Sequence, residues 1–268
     1  MKPQHALSVI PGFQDARLVR RIAAGVTADS WQVELDEQQF VLRVDRAEAH
    51  ALGLDREGEC EVQAAVARAG LSPAAVFSNP KLGISLRPWV AGHAWSAADL
   101  NKPANLERLG GLLRRLHELP PCGPAYRPGK AARRYADQLG SRAAQQMANE
   151  ANKVLSDLKR KPVSLCLCHN DLVAENLVDA GDRLVPIDWE YAGMGDPLFD
   201  LAVLMQHHKL EPAVSKHLMQ AYFKRDPTSS EALRIKAWCG FYKLLLILWQ
   251  QRVDALSKTE HAAGAGIS

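Results

Sequence analysis

The first part of the chain alternates apolar and polar positions in the way that strands do. The segment WQVEL at 31–35 places Trp31, Val33 and Leu35 on one side and polar residues on the other, the period of a half-buried strand. Similar runs predict strands at 18–23 and 40–44, a helix at 56–69, and short strands at 75–77 and 84–87. The pattern therefore predicts a small antiparallel sheet accompanied by one helix.

Beyond residue 93 the apolar positions mostly recur with the period of a helix. Leu109, Leu112, Leu113 and Leu116 fall on one face of a helix predicted at 106–119. One or two further helices are predicted at 131–161, and others at 198–207, 211–223 and 231–256. The exception is the stretch 164–187, where SLCLC indicates a strand, and LVD and LVPI flank the turn AGDR as a hairpin.

These elements divide the chain into two lobes and a tail, and the predicted fold class is α+β. Residues 1–87 form the smaller amino-terminal lobe, and PWVAG at 88–92 forms a connector. Residues 93–257 form a larger, mainly helical lobe. Residues 258–268 have too few apolar side chains to pack, so we expect a disordered tail.

Composition and charge indicate which partners and which cellular compartment to expect. Of the 268 residues, 47% are hydrophobic and 24% charged, and the formal net charge is +3, which gives no reason to expect nucleic acid or a membrane as partner. The start, MKPQHALSVIPG, lacks the pattern of a signal peptide, and the longest apolar run, LLLILW, is too short to cross a bilayer. Five cysteines in no disulfide spacing indicate a reducing compartment, so we expect a cytoplasmic protein.

One cysteine pair has part of a metal-binding spacing. Cys166 and Cys168 alternate along the strand predicted at 164–168, and His169 follows directly. Cys-x-Cys-His without a second ligand cluster is a weak metal signal, and thiols on an apolar strand are usually buried. We therefore expect two buried thiols here rather than a metal site.

The stretch HNDLVAENLVDAGDRLVPIDWE, at 169–190, concentrates acidic and amide side chains. In a hairpin the residue entering the first strand lies beside the residue leaving the second, so Asn176 and Asp188 should be neighbours. Two oxygen ligands at the mouth of a hairpin suit a hard cation such as Mg²⁺. Asp171, on the preceding loop, can face the same space. An Asp-x4-Asn pair, a hairpin and a second Asp follow the order in which protein-kinase-type phosphotransferases arrange base and metal ligands.

The motifs HNDLVAEN and IDWEYAGMGDPLFDLA resemble those of the choline kinase and aminoglycoside phosphotransferase superfamily, and IDWEYAG is similar to bacterial choline kinase-like and thiamine kinase-like proteins. The resemblance implies a bilobal protein-kinase-like fold and an ATP-dependent phosphotransferase. It also implies that Asp171 accepts the proton of the acceptor hydroxyl, and that Asn176 and Asp188 hold Mg²⁺. Asp200 would brace the backbone of the catalytic loop, and His169 would support it by packing and hydrogen bonding.

The nucleotide would bind on the first sheet. The turn GVTADS, which contains Gly25 and Thr27, resembles the phosphate-holding turn of the choline kinase group. Arg43 stands where protein kinases carry a lysine and can contact phosphate while pairing with a carboxylate. Glu59 shares a helix face with apolar residues, so we expect it to point inward as that partner. The backbone expected to contact adenine belongs to Pro88, Trp89 and Val90.

The acceptor is expected to be a small cationic alcohol, most simply choline. By resemblance, Glu190 and Tyr191 would face it, and Trp249 on the last helix would belong to an aromatic cage suited to a cation. Thiamine and ethanolamine share a hydroxyl and a cation and stay open as alternatives. An aminoglycoside or amino sugar ranks below these alternatives. Such a polycation would favour a broad acidic patch, and no acidic run appears in the helices after Leu198.

Two other classes of function remain to be weighed. A nucleotide-binding protein without turnover would keep the fold, although a degenerate site usually loses one of Asp171, Asn176 and Asp188, and this chain has all three. A metal-dependent hydrolase would need His-rich or multi-carboxylate ligands, and the histidines form no ligand-spaced pair beyond His207 and His208.

Overall fold

The computed structural model describes residues 1–46 and 48–264, without the side chains of residues 24, 50 and 258–264. The helices are α1 (Pro3–Ser8), α2 (Glu48–Leu52), α3 (Arg56–Arg68), α4 (Pro103–His117), α5 (Pro128–Leu139), α6 (Arg142–Lys159), α7 (Pro197–His207), α8 (Pro212–Phe223) and α9 (Ser229–Gly264). The strands are β1 (Arg17–Ala24), β2 (Ala28–Leu35), β3 (Gln38–Asp45), β4 (Phe77–Asn79), β5 (Ile84–Pro88), β6 (His93–Ala94), β7 (Cys166–Cys168), β8 (Leu177–Asp179), β9 (Leu184–Pro186) and β10 (Gly193–Gly195).

The chain forms two compact units. The first unit contains Met1–Trp95, Cys122–Pro124 and Glu175–Gly193. The second contains Ser96–Pro121, Ala125–Ala174 and the chain from Met194 onward. The hairpin of the acidic stretch thus belongs to the first unit, whereas the sequence assigned it to the helical lobe. The predicted boundary at 88–92 stays a prediction.

The first unit is built on an antiparallel sheet of five strands within the described residues, in the order β1-β2-β3-β5-β4. The predicted strands are present. β2 begins at Ala28 rather than Trp31, because its first residues pair with the end of β3, as in Ala28 with Asp45. β4 lies at Phe77–Asn79, two residues later than predicted. Apolar side chains of α1, an element that the sequence did not predict, pack with Val33 and Leu42 of the sheet.

A smaller sheet in the first unit carries the predicted hairpin. β8 and β9 pair antiparallel from Leu177 with Pro186 to Asp179 with Leu184, and Gly181 occupies the turn with a φ of +89°. The unpredicted strand β6 adds to the outside of β8. This addition requires a glycine at position 92, because a Cβ there would lie 2.3 Å from the carbonyl oxygen of Asp179.

The second unit is mainly helical, as predicted. The region at 131–161 forms two helices, because Gly140 adopts a φ of +65° and Ser141 caps α6 by accepting the N–H of Ala144 at 3.1 Å. Helix α7 is buried along almost its whole length, and it packs on α9. The short strands β7 and β10 pair beside these helices.

The last helix is longer than the apolar pattern predicts. It continues to Gly264, whereas the sequence prediction ends it at 256 and places a disordered tail at 258–268. The Lys, Glu and Ala residues of this segment have high helix propensity, which favours continuation of the helix. Residues 265–268 lie outside the described residues. None of the described helices is long and apolar enough to span a membrane.

Candidate active site

The mouth of the β8–β9 hairpin brings two oxygen-bearing residues to neighbouring positions. The N–H of Ile187 donates to the carbonyl of Asn176 at 2.9 Å. The paired ends of the two strands therefore place Asn176 and Asp188 at neighbouring positions. Asp188 adopts a φ of +62°, a conformation that Asp tolerates better than most residues, and its side chain is 47% exposed. An accessible carboxylate and an amide oxygen are hard donors, so the residues at this site fit Mg²⁺.

A buried ion pair lies beside Asp188. Arg43 donates through Nη1 and Nη2 to Oε1 and Oε2 of Glu59, both at 2.7 Å, so the predicted pairing is present and bidentate. Glu59 is 2% exposed. Burial alone would raise the pKa of Glu59, but Arg43, with help from Arg87 and Arg56, lowers it to about 2. Nη1 of Arg43 also lies 4.0 Å from Oδ1 of Asp188.

Two further arginines, which the sequence analysis missed, complete this cluster. Arg87 donates to Oε1 of Glu59 at 2.9 Å, and Arg56 donates to Oε2 of the same carboxylate at 2.8 Å. Arg56 also pairs with both oxygens of Asp45, at 2.8 and 2.9 Å. Its position three residues before Glu59 on one helix was the available sequence signal. The position of Arg87 depends on the pairing of β5 with β3, which the sequence pattern does not contain.

Glu190, predicted to face the acceptor, is bound within the first unit. Its Oε2 accepts the hydroxyl of Thr27 at 3.0 Å and Nη1 of Arg56 at 3.1 Å, and its side chain is 9% exposed. Burial, with the charge of Asp188 nearby, raises the pKa of Glu190 to about 7. The Thr27 hydroxyl is therefore engaged by a carboxylate. The same turn requires a glycine at position 25, because a Cβ there would lie 2.6 Å from the carbonyl oxygen of Ala28.

The connector residues Pro88, Trp89 and Val90 are half-buried, and their backbone groups differ in the hydrogen bonds that they make. The N–H of Trp89 donates to the carbonyl of Gln39 at 2.8 Å, and Pro88 has no N–H. Of the three predicted adenine contacts, Val90 therefore carries the N–H that the described part of the chain leaves available. Tyr191 lies half-buried in the same unit.

In the second unit a buried carboxylate braces the loop that carries Asp171. Asp200, 0% exposed, accepts the backbone N–H of His169 at 2.9 Å and of Asn170 at 2.7 Å, so the predicted brace is present. Nε2 of His117 lies 3.1 Å from the same carboxylate, and its Nδ1 lies 2.8 Å from the hydroxyl of Tyr222. A carboxylate only accepts, so Nε2 of His117 donates to Asp200.

Asp171 itself is half-buried and has tyrosines nearby. Burial raises the pKa of Tyr126 well above its ordinary value, and the charges of Tyr135 and Asp171 raise it further. Burial also raises the pKa of Tyr242, again with a contribution from Asp171. Both hydroxyls therefore stay protonated.

These tyrosines belong to an aromatic cluster centred on Phe199. The ring of Phe199 lies 5.5 Å from Tyr126, 5.0 Å from Trp238 and 6.1 Å from Tyr242 between centroids. Trp249, predicted as a cage residue, is half-buried two helical turns beyond Tyr242 and makes no ring contact among the described residues. Trp238 and Tyr242 of the last helix therefore belong to this cluster, and the role of Trp249 in a cage stays a prediction.

The thiols of Cys166 and Cys168 lie 3.7 Å apart, and Cys168 is fully buried. His117, which the sequence analysis did not consider, has a ligand atom within 4.8 Å of both thiols. Burial raises the pKa of Cys168 well above its ordinary value, so this thiol is protonated. The cysteines, all of them in the described part of the chain, are free.

Comparison with known proteins gives consistent matches. Protein LicA from Haemophilus influenzae is 28% identical over 258 residues, which cover 90% of this chain and 74% of LicA. A thiamine kinase from Shigella boydii is 26% identical over 204 residues, covering 74% of this chain and 71% of that enzyme.

Solved structures agree in fold. A choline/ethanolamine kinase family protein from Mesorhizobium loti aligns with a TM-score of 0.76 and 26% identity, over 95% of this chain and 86% of its own. The choline kinase LicA from Streptococcus pneumoniae aligns with a TM-score of 0.80 and 17% identity, over 95% and 90% of the chains, and LicA in complex with AMP aligns equally well. The fold is protein-kinase-like, with an antiparallel sheet in the amino-terminal region and helices in the carboxy-terminal region. The sequence model of the phosphotransferase enzyme family matches residues 18–233, most of the chain, and the protein belongs to that family.

Proposed function

We propose that the protein transfers the γ-phosphoryl group of ATP, with Mg²⁺, to the hydroxyl of a small-molecule alcohol. The observation that carries this proposal is the position of Arg43. It holds Glu59 through two hydrogen bonds and reaches within 4.0 Å of Asp188 at the hairpin mouth. A fixed guanidinium beside an accessible carboxylate suits a nucleotide phosphate that is bound together with a cation.

Each residue then has a distinct task. Asn176 and Asp188 would hold Mg²⁺, which neutralises charge on the transferred phosphoryl group. Arg43, oriented by Glu59, binds phosphate oxygens, and the N–H of Val90 donates to the adenine. Asp171 accepts the proton of the attacking hydroxyl on a loop that Asp200 keeps in place.

Choline is the first acceptor to test, and thiamine the second. The relatives include a choline kinase and a thiamine kinase. The rings of Tyr126 and Tyr242 pack around Phe199, and the charge of Asp171 acts on both tyrosines. Aromatic faces attract a quaternary ammonium group. An aminoglycoside is less suited, because the charged residues that line the large cavity beside these rings are mainly basic.

The test is an ADP-release assay on the purified protein with choline, ethanolamine, thiamine, amino sugars and aminoglycosides. We expect Mg²⁺-dependent turnover with at least one acceptor, and a loss of about a hundredfold or more in kcat for Asp171→Asn, because the base is removed. Asp182→Asn, in the exposed hairpin turn, is the matched control and should leave kcat unchanged. ATP binding without turnover on the whole panel would favour the alternative of a nucleotide-binding protein without catalytic activity.

A further inference from the structure

The second unit contains a cavity of about 1000 Å³ that the motifs do not account for. Its walls come from α5 along its length, the second half of α6 and the connection after it, and the first turns of α7 and α9. The apolar part of its lining includes Leu155, Phe199 and Trp238. A cavity of this size accommodates a ligand several times larger than choline.

This cavity lies beside the catalytic loop. Gly195 lines it, and a Cβ at Gly195 would lie 3.2 Å from Oδ1 of Asn170, the residue before Asp171. Tyr126 also lines it, its ring lies 5.5 Å from that of Phe199 between centroids, and the charge of Asp171 contributes to its raised pKa. A ligand in the cavity can therefore extend to the proposed base without leaving the second unit.

The charge of the cavity is strongly positive. Among the described residues that line it, six are arginine or lysine and two are aspartate. One aspartate, Asp196, is already neutralised by Arg234, whose Nε lies 2.5 Å from it. The side chains of Arg127, Lys130 and Lys159 have no hydrogen-bond or ion-pair partner in the described part of the chain.

These three cations are exposed to solvent, and all of them line the same cavity. Arg127 and Lys130 flank Pro128 at the start of α5, where the helix dipole adds partial positive charge. Lys159, at the end of α6, lines the same cavity. Three unpaired like charges around one apolar floor repel one another, and an anion between them removes that repulsion.

We propose that the acceptor is an alcohol with an apolar body and an anionic group, carboxylate or phosphate, that binds among Arg127, Lys130 and Lys159. This inference rests on the proposed kinase function and names the acceptor class of the same site. The reacting hydroxyl lies at Asp171, the body lies against Phe199 and Trp238, and the anion lies at the start of α5. Choline alone would occupy only the part of this site nearest to Asp171.

The first experiment compares acceptors in pairs that differ by one anionic group: pantothenol with pantothenate, ethanolamine with serine, and glycerol with glycerol phosphate. In at least one pair the anionic member should have a kcat/KM about tenfold or more above its partner. In the double variant Lys130→Glu, Lys159→Glu that preference should disappear, because the charge at the anion site is reversed. Lys153→Glu, on α6 outside the cavity, is the matched control and should retain the preference.

A second experiment does not depend on turnover. Anilinonaphthalene sulfonate, an anionic aromatic probe, should bind equally well to the wild-type protein and to the Lys153→Glu control. Its affinity for the double variant should be about tenfold lower. Equal probe binding by all three proteins, or choline turnover that exceeds that of every anionic alcohol, would overturn the inference. Lack of turnover with any acceptor contradicts the proposed function, whereas charge-dependent probe binding would still support the anion site.

Discussion

The carboxylate of Asp200 is the side chain whose replacement tests most directly how the catalytic loop is held. It accepts two backbone N–H groups, from His169 and Asn170, and lies 3.1 Å from Nε2 of His117. The perturbation is Asp200→Asn, which keeps size and shape and removes the charge. The amide can offer its oxygen to one backbone N–H, but it then presents its own N–H₂ to another donor.

The expected decrease in the free energy of unfolding follows from the number of hydrogen bonds that Asp200→Asn changes. A hydrogen bond to a charged acceptor contributes about 1.5–3 kcal/mol, and leaving a buried N–H without an acceptor costs about 1–3 kcal/mol. With one of the two backbone bonds lost, we expect a decrease of about 3 kcal/mol in the free energy of unfolding. This is less than the total stability of a typical domain, so the variant should remain folded at 25 °C.

The assay combines urea unfolding with steady-state kinetics on the same preparation. We expect kcat to fall by about tenfold or more, because Asp171 follows the two braced residues directly and loses its position. Asp157→Asn is the control, since its ion pair with Arg160 is on the surface and contributes little. The role of Asp200 in holding the catalytic loop would be refuted by a variant with an unchanged kcat and a free energy of unfolding within about 0.5 kcal/mol of wild type.

Further predictions concern packing, pH and metal. Gly110→Ala should destabilise the protein by about 1–3 kcal/mol in urea unfolding, because the new Cβ would lie 2.6 Å from the backbone of Ala221. Gly111→Ala, next to it on α4, has no such neighbour and should stabilise the helix by about 0.5–1 kcal/mol; equal effects would contradict the packing argument. The pKa of Glu59 is lowered to about 2, so its contribution to stability is complete above its unfolded value and is lost as pH falls from about 4.5 towards 2. Glu59→Gln should therefore be about 3 kcal/mol less stable at pH 7, and the difference should shrink in acid; a difference independent of pH would be inconsistent with the ion pair. Asp188→Asn should raise the Mg²⁺ concentration needed for half-maximal ADP release by about tenfold or more, and an unchanged Mg²⁺ dependence would exclude it as a ligand.

The sequence predicts those features that depend on local periodicity. The inward position of Glu59 followed from its helix face, and the neighbouring positions of Asn176 and Asp188 followed from the hairpin. Arg87 reaches Glu59 only because β5 pairs with β3, and Thr27 reaches Glu190 across more than 160 residues of chain. Such contacts depend on tertiary pairing, which one sequence does not contain.

In the proposed acceptor site, the residues that suit the reaction differ from the residues that select the acceptor. The clustered rings of Phe199, Tyr126 and Tyr242 suit a cation, and they also accept an uncharged apolar group. The unpaired Arg127 and Lys130 discriminate by sign, since they attract an anion and repel a second cation. An alcohol with a cation near its hydroxyl and an anion at its far end would satisfy both parts, whereas choline satisfies only the first. Similarity to choline kinases therefore supports the phosphoryl transfer more strongly than it supports choline as the acceptor.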